Sequence, residues 1–279
     1  MTSPMTMRET GRTTLSRSSW WNDTRVHAGR KLRHVREIPE KLLDVTIQPL
    51  MFVLLFAYVF GGAIAMQGGS YREYMIGGIV LQSLAVGMTG PAVAIATDLN
   101  EGVIDRFRSL PSAKSAYLAG HVLAELASMA LSVGVLLGSG LLIGWRTHSD
   151  PLHVIAGLAL ILLFASAVVW VGTLSGLLVR APDAVMGIVV TTVFPLTFVS
   201  NAFVPIETMP PFLQHVATWN PFSVVVAAVR ELFGNPTAPT VIESWPLEHP
   251  VVSGVAYCVL VLAITAPLAL RRFSYRTSD

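Results

Sequence analysis

The sequence predicts an all-α integral membrane protein with six transmembrane helices. Of its 279 residues, 53% are hydrophobic and only 13% are charged, whereas about a quarter of the residues in a soluble domain carry charge. The apolar residues also fall into six stretches, and each is long enough to supply the roughly 20 residues that a membrane-spanning helix needs. These two observations exclude an ordinary soluble domain.

The six apolar stretches define the predicted spans. Five of them carry no Asp, Glu, Lys or Arg, and the third carries Glu125 alone. We expect residues 1–24, which are rich in Ser, Thr and Arg, to form a disordered cytoplasmic tail, and residues 25–279 to form one transmembrane domain. The spans are predicted at about 45–68, 74–97, 116–144, 152–179, 184–206 and 249–270.

Lysine and arginine residues are unevenly distributed along the chain. The segment up to Asp44 holds nine of the 19, whereas the loops after spans one, three and five hold only Arg72, Arg146 and Arg230. Because cytoplasmic loops carry the excess of positive charge, both termini and the loop at 98–114 are predicted to be cytoplasmic. We expect a multi-pass protein of a bacterial plasma membrane, embedded in the lipid bilayer, with no nucleic-acid partner.

A basic amphipathic helix is predicted at 25–44, before span one. Its apolar residues recur at helical spacing, and its basic residues lie mainly on the other side. Such a helix should lie on the anionic cytoplasmic face of the bilayer. A basic tail that only follows the positive-inside rule explains the same pattern.

The loop at 98–114 contains a shorter amphipathic helix, predicted at about 99–111. Val103, Phe107 and Leu110 follow helical spacing and form one apolar stripe, and Pro111 ends the helix. A groove on a partner protein could receive this stripe. A solvated loop or a helix resting on the membrane also explains the pattern.

Span three carries a polar stripe at helical spacing, formed by His121, Glu125, Ser128 and Ser132. An ionisable group deep in a membrane helix is costly, and it therefore predicts a functional role. We consider these four residues candidates for lining a transport pathway. The alternative is a structural Glu125–His121 pair with a protonated carboxyl.

A broken hairpin is predicted on the outer side, between spans five and six. The stretch at 209–229 is uncharged but contains Pro210, Pro211 and Pro221. Proline-broken backbone is tolerated at membrane depth only where protein buries it or where it lines a cavity. We expect two short helices, at about 208–218 and 222–233, in a re-entrant or interfacial hairpin. A folded external loop is the alternative.

Glycines four residues apart occur at three places in spans three and four. This spacing lets two helix backbones approach closely. We interpret the pairs as packing sites within the chain, with a subunit interface as the alternative. The pairs are Gly134 and Gly138, Gly140 and Gly144, and Gly172 and Gly176.

The sequence lacks the motifs of a nucleotide-binding or metal-dependent enzyme. No G-x-x-x-x-G-K-[ST] occurs, so the chain has no P-loop for ATP. No H-E-x-x-H occurs, His148 and His153 are isolated, and no nucleophile has an identifiable base. We predict a protein that has no catalytic residue and binds no cofactor or metal.

Two loop patterns are more specific than hydrophobicity. One runs Glu101-Gly-Val-Ile-Asp-Arg-Phe-Arg-Ser-Leu-Pro111, and the other runs Phe203-Val-Pro-Ile-Glu-Thr-Met-Pro210 and continues to Asn220-Pro221. With the six spans, the amphipathic N-terminal helix and the outer hairpin, they resemble the permease subunit of type-2 ABC transporters. The resemblance is to the branch of daunorubicin-resistance permeases, and it covers nearly all of the chain after Arg25.

This resemblance implies a permease that exports an amphipathic or lipophilic antibiotic, drug or lipid across the plasma membrane. It implies that the helix at 99–111 is a coupling helix docked on a separate ATPase, which binds ATP and Mg. Two ATPase subunits and a second permease, either a copy or a paralogue, would complete the transporter. The implied ATPase contacts are Glu101, Gly102, Arg106, Phe107 and Arg108.

Other functions remain open from the residues. A type-2 exporter of a polysaccharide or lipid-linked glycan would look the same. An ATP-independent secondary transporter could also have six spans, but it would more typically show broken spans in two repeated halves.

Overall fold

The computed structural model describes residues 47, 50–60, 70–102, 114–179, 181–237 and 242–276, and this part of the chain is built from helices. The predicted amphipathic helix at 25–44 and most of the predicted coupling helix, from 103 onward, lie outside the described residues. The described helices include α1 (Leu50–Val59), α2 (Tyr71–Val86), α3 (Thr89–Asn100), α4 (Lys114–Leu142), α5 (Pro151–Leu178), α6 (Pro182–Phe198), α7 (Pro211–Trp219), α8 (Pro221–Phe233), α9 (Trp245–Glu248) and α10 (Pro250–Arg276).

Four helical segments in the described residues are long and apolar enough to cross a membrane. They are Tyr71–Asn100, Tyr117–Leu142, Pro151–Leu178 and Pro250–Ser274. The pair α7 and α8 would make a fifth span if counted as one, although the two helices are bent by 71°. The protein is therefore an all-helical membrane protein in its described part.

The predicted second span lies within the apolar segment Tyr71–Asn100, which is divided into two helices. The break at Gly87 and Met88 separates α2 from α3. Pro91 lies in the first turn of α3, where it lacks the N–H that would continue the ladder to Gly87 four residues earlier. The Gly87 carbonyl instead accepts a hydrogen bond from Gly90 N at 3.1 Å.

The helix of the predicted fifth span ends at Phe198, not at 206. Asn220 explains the early end, because its Nδ2 donates to the carbonyls of Leu196 and Val199, both at 2.6 Å. These carbonyls belong to the last turn, which a helix leaves without internal partners. The Asn220 Oδ1 also accepts from Phe222 N at 2.9 Å and caps the start of α8.

Two short helices, α7 and α8, lie close to the positions predicted for the outer hairpin. Pro211 and Pro221 each occupy the start of a helix, where proline needs no hydrogen bond and has the right φ. Gly234 ends α8 with a left-handed φ of 64°, a conformation that favours glycine. The sharp bend between the helices follows from the Asn220-Pro221 junction.

Helix α5 is the centre of the bundle and packs on α3, α4, α8 and α10. Gly172 and Gly176 of α5 lie against the backbone at the start of α3. An added Cβ would lie 2.5 Å from Met88 O at Gly172 and 2.3 Å from Ala92 O at Gly176. The packing interpretation of this glycine pair is therefore correct, whereas Gly134 and Gly138 have no described atom within 4 Å of an added Cβ.

Candidate functional site

One end of the bundle, which we call the Arg230 end, joins the turn between α4 and α5 to the end of α8. His148 N donates to Phe233 O at 2.9 Å. Trp145 Nε1 donates to Asn235 Oδ1, and Asn235 Nδ2 donates to Arg146 O, both at 2.8 Å. These reciprocal bonds hold the turn at 143–150 against the exit of the hairpin.

Arg230 itself is the largest fully buried side chain among the described residues, with 2% of its surface exposed. Its Nε donates to Tyr74 O at 2.7 Å and its Nη2 donates to Ala202 O at 2.8 Å. The guanidinium lies 3.5 Å from the centre of the Tyr74 ring, which adds a cation–π contact. Two carbonyl dipoles and an aromatic face thus replace the water that burial removes.

The surroundings of Arg230 are held by two tyrosines of α2. Tyr74 Oη donates to Asn201 O at 2.7 Å, and Tyr71 Oη donates to Phe203 O at 3.1 Å. Gly78 lets the backbone at Ala202 approach α2 closely, because an added Cβ at Gly78 would lie 2.2 Å from Ala202 O. The segment after α6 is therefore fixed between α2 and α8.

A cavity of about 580 Å³ lies beside the buried guanidinium. Its wall includes Tyr74, Arg230 and Asn235, and its rim includes the exposed carboxylates of Glu231 and Glu248. Asn201 also lines it, and the buried Asn201 Oδ1 has no hydrogen-bond partner among the described residues. The cavity can offer acceptors and one cation to a polar group, and sequence reasoning did not find it.

The opposite end, which we call the Asp98 end, is where α3 leads toward the predicted coupling segment. Glu101 is exposed, and its N–H donates to Thr97 O at 2.9 Å. Gly102 has a φ of 64° and ends the helix in the left-handed conformation typical of such positions. Of the five predicted ATPase contacts only Glu101 and Gly102 are described, and Arg106, Phe107 and Arg108 lie outside the described residues.

A hydrogen bond at the Asp98 end joins α3 to α4. Tyr117 Oη donates to an Asp98 carboxylate oxygen. The Tyr117 ring also stacks on Phe273 of α10, with ring centres 5.9 Å apart and planes inclined by 7°. We did not single out Tyr117 or Phe273 from the sequence, because nothing in a single chain shows that residues so far apart meet.

The polar stripe of span three lies on α4 and partly faces α3. His121 is buried, with 1% of its surface exposed, and Glu125 is half-buried. An added Cβ at Gly90 would lie 3.4 Å from Glu125 Oε2, so the carboxylate sits beside the break between α2 and α3. Ser128 Oγ donates to Ala124 O of its own helix at 3.1 Å. None of the four stripe residues lines the Arg230 cavity.

The described residues contain no group of three or more His, Cys, Asp or Glu side chains that could hold a metal ion. His148 Nε2 lies 3.7 Å from Glu73 Oε1, and His153 pairs with Asp150. Cys258 is buried and free.

Comparison with known proteins finds a consistent set of relatives. Residues 24–233 match the family model described as ABC-2 type transporter. The daunorubicin resistance ABC transporter permease protein DrrB1 of Streptomyces coeruleorubidus is 31% identical over 252 residues, which cover 90% of this chain and 85% of that protein. The doxorubicin resistance ABC transporter permease protein DrrB of Mycobacterium tuberculosis H37Rv is 25% identical, with 83% of each chain covered.

A more distant relative is the inner membrane transport permease YadH of Escherichia coli K12. It is 24% identical over 208 residues, which cover 71% of this chain and 77% of that protein. The matches span most of each relative, and the family match extends over the hairpin to residue 233. The likeness is therefore to whole permease subunits and not to a single shared helix.

Proposed function

The chain belongs to the ABC-2 type transporter family, and from this premise we propose that it exports an amphipathic or lipophilic compound, such as an antibiotic or a lipid. It is the membrane permease subunit of an ABC exporter in the plasma membrane, and its ATPase is a separate subunit. The observation that carries the substrate class is the 31% identity to a daunorubicin resistance permease over 90% of the chain.

The energy for export would come entirely from the partner. ATP and Mg bind to the ATPase subunit in this proposal, and the permease itself binds neither and catalyses no reaction. The missing P-loop in the sequence supports this division of labour. Two ATPase subunits and two permeases, either copies or paralogues, would form the complete transporter.

The proposed orientation places both termini and the Asp98 end in the cytoplasm, with six spans in total. The distribution of Lys and Arg supports it, since nine of 19 precede residue 45. The Arg230 end, the cavity beside it and the hairpin α7–α8 would then face the outer side. Span one includes α1, and span five is the short helix α6.

The predicted coupling helix at about 99–111 is the proposed contact with the ATPase. Glu101, Gly102, Arg106, Phe107 and Arg108 form the contact set, with Phe107 as the apolar plug and the arginines as its polar rim. Exposed Glu101 supports this role, and the left-handed conformation of Gly102 ends α3 at this point. An aromatic residue flanked by arginines is also a common composition for the centre of an interface.

The polar stripe of α4 is the proposed pathway surface. His121, Glu125, Ser128 and Ser132 follow one face of the helix, and Glu125 lies beside Gly90 at the break between α2 and α3. A break in a span is a place where two helix segments can move separately. In this proposal, movement there changes the access of the stripe to the substrate.

The direct test of the coupling contacts is assembly with the ATPase. We expect Arg106→Ala combined with Phe107→Ala to abolish co-purification with the ATPase, because it removes the apolar plug and one of its flanking charges. The matched control is Arg72→Ala combined with Phe212→Ala, which changes one exposed arginine and one exposed phenylalanine outside the proposed contact set. Retained assembly in the first double variant would contradict the coupling assignment.

A further inference from the structure

A small core at the Asp98 end is separate from the main core of the bundle. Its buried residues, Ile95, Leu118, Leu177, Ala269 and Phe273, are each at most 4% exposed. They come from α3, α4, α5 and α10, so four helices meet at this point. Such close-packed interiors have low compressibility and transmit displacement.

Three residues beside this core, Tyr117, Asp98 and Phe273, form what we call the Tyr117 cluster. The Tyr117 hydroxyl donates to the Asp98 carboxylate, and this bond crosses from the last turns of α3 to the first turns of α4. A hydrogen bond to a charged acceptor is stronger than one between neutral groups. Phe273 is 4% exposed and stacks on the same tyrosine ring, which adds α10 to the connection.

The Tyr117 cluster joins the two ends of the segment that is proposed to contact the ATPase. Helix α3 ends at Asn100 and α4 begins at Lys114, so Asp98 and Tyr117 flank the whole segment proposed to contact the ATPase. If the two flanks were independent, a push on the segment would be absorbed by relative movement of α3 and α4. A bond between the flanks makes both helices move together.

We propose that Tyr117, Asp98 and Phe273 are positioning residues that convert movement of the segment at 103–113 into movement of α3, α4 and α10. This inference rests on the proposed function, because it assumes that the ATPase acts on that segment. In this proposal the Tyr117 cluster holds the end of α3 against the start of α4 and contacts no nucleotide or substrate. Its loss should therefore leave assembly and ATP hydrolysis intact but lower the export obtained per ATP.

The experiment uses the permease purified with its partner ATPase, reconstituted in proteoliposomes, with daunorubicin as the probe. The readout is daunorubicin moved per ATP hydrolysed, at equal amounts of assembled complex. Tyr117→Phe removes the donor and keeps the stacked ring, and we expect export per ATP to fall by roughly tenfold or more, as for the loss of one hydrogen bond to a charged group. Asp98→Ala should give a similar fall.

Three further variants separate positioning from simple damage. Asp98→Asn keeps an acceptor oxygen and should retain most of the coupling. Tyr117→Phe combined with Asp98→Ala should be no worse than either change alone, because both remove the same bond. Tyr257→Phe makes the same chemical change on α10, away from the Tyr117 cluster, and should behave as the unsubstituted protein.

Unchanged export per ATP in Tyr117→Phe and Asp98→Ala would overturn the proposal, and so would effects that simply add. A loss of export that matches a loss of assembled complex would also overturn it, since the Tyr117 cluster would then be needed only for folding. Failure of the unsubstituted complex to move daunorubicin is a different result, because it would count against the proposed substrate class itself.

Discussion

Arg230 shows how a cation is accommodated in an apolar protein. Taking a guanidinium out of water costs several kcal/mol unless other groups replace its hydration, and here two backbone carbonyls and the Tyr74 ring do so. In return, Arg230 joins α8 to α2 and to the segment after α6. The residue is therefore a connection between three parts of the chain, and it also forms part of a cavity wall.

Replacing Arg230 should destabilise the fold far more than replacing an exposed arginine with similar bonds. Arg230→Met leaves the carbonyls of Tyr74 and Ala202 buried without donors, and we expect a loss of about 2–4 kcal/mol, seen as a lower thermal unfolding temperature in detergent. Arg146 is the matched control, since its Nη1 also donates to two carbonyls, those of Leu141 and Trp145, but from an exposed position. Equal effects of Arg230→Met and Arg146→Met would contradict this account.

Single residues were the least predictable part of the molecule. The burial of Arg230 could not be predicted from the sequence, because its partner Tyr74 lies 156 positions away. Tyr117 and Phe273 gave no signal for the same reason. Glu125 did give a signal, since a carboxylate in an apolar helix stands out by itself, and its proposed role in the pathway stays a prediction.

Close contact between helices α3 and α5 depends on two glycines. Gly172 permits the Met88 carbonyl, just before α3, to approach the backbone of α5, and Gly176 permits the closer approach of the Ala92 carbonyl. Backbone contacts of this kind replace the hydrophobic force that is absent between helices in lipid. These contacts hold α3, the second helix of the broken second span, against α5.

Gly176→Ala should reduce the amount of folded protein in the membrane. The new Cβ would lie 2.3 Å from Ala92 O, so the helices must separate, at a cost of about 1–3 kcal/mol. Gly134→Ala is the matched control, because nothing described lies within 4 Å of its added Cβ and alanine is the better helix former. Protein level and unfolding temperature measure both, and a neutral Gly176→Ala would refute the close packing.

The bounds of the helices were predicted well where the length of an apolar stretch sets them, and less well where individual side chains set them. The long helices α4, α5 and α10 lie close to their predicted bounds, and the proline-marked start points of α7 and α8 were also visible in the sequence. The break at Gly87 was missed because a single proline at the start of a uniform apolar run is a weak signal. The end of α6 at Phe198 depends on Asn220, which caps it from another element.

The family and the general function were predictable at the scale of the whole molecule. The expected resemblance to daunorubicin-resistance permeases of the type-2 ABC family is confirmed by the family match over residues 24–233 and by the relatives. Loop patterns such as Glu101-Gly102 carried that prediction, since apolar spans are shared by many unrelated proteins. Orientation, subunit number and substrate stay proposals.

Orientation can be tested with two matched cysteines. Asp150 and Asp183 are both exposed and both lie at the start of a helix, α5 and α6 respectively. The proposed topology predicts that Asp150→Cys reacts with a membrane-impermeant thiol reagent in intact cells, whereas Asp183→Cys reacts only after permeabilisation. Cys258 is buried, so the unsubstituted protein is the background control. The reverse labelling pattern would contradict the orientation.

The central claim is that this permease exports an amphipathic compound with energy from a separate ATPase. The most direct measurement is daunorubicin transport by proteoliposomes that contain the purified permease with its partner ATPase. We predict transport that requires both ATP and the ATPase, together with faster ATP hydrolysis when daunorubicin is present. Transport by the permease alone, driven by an ion gradient without ATP, would contradict the claim.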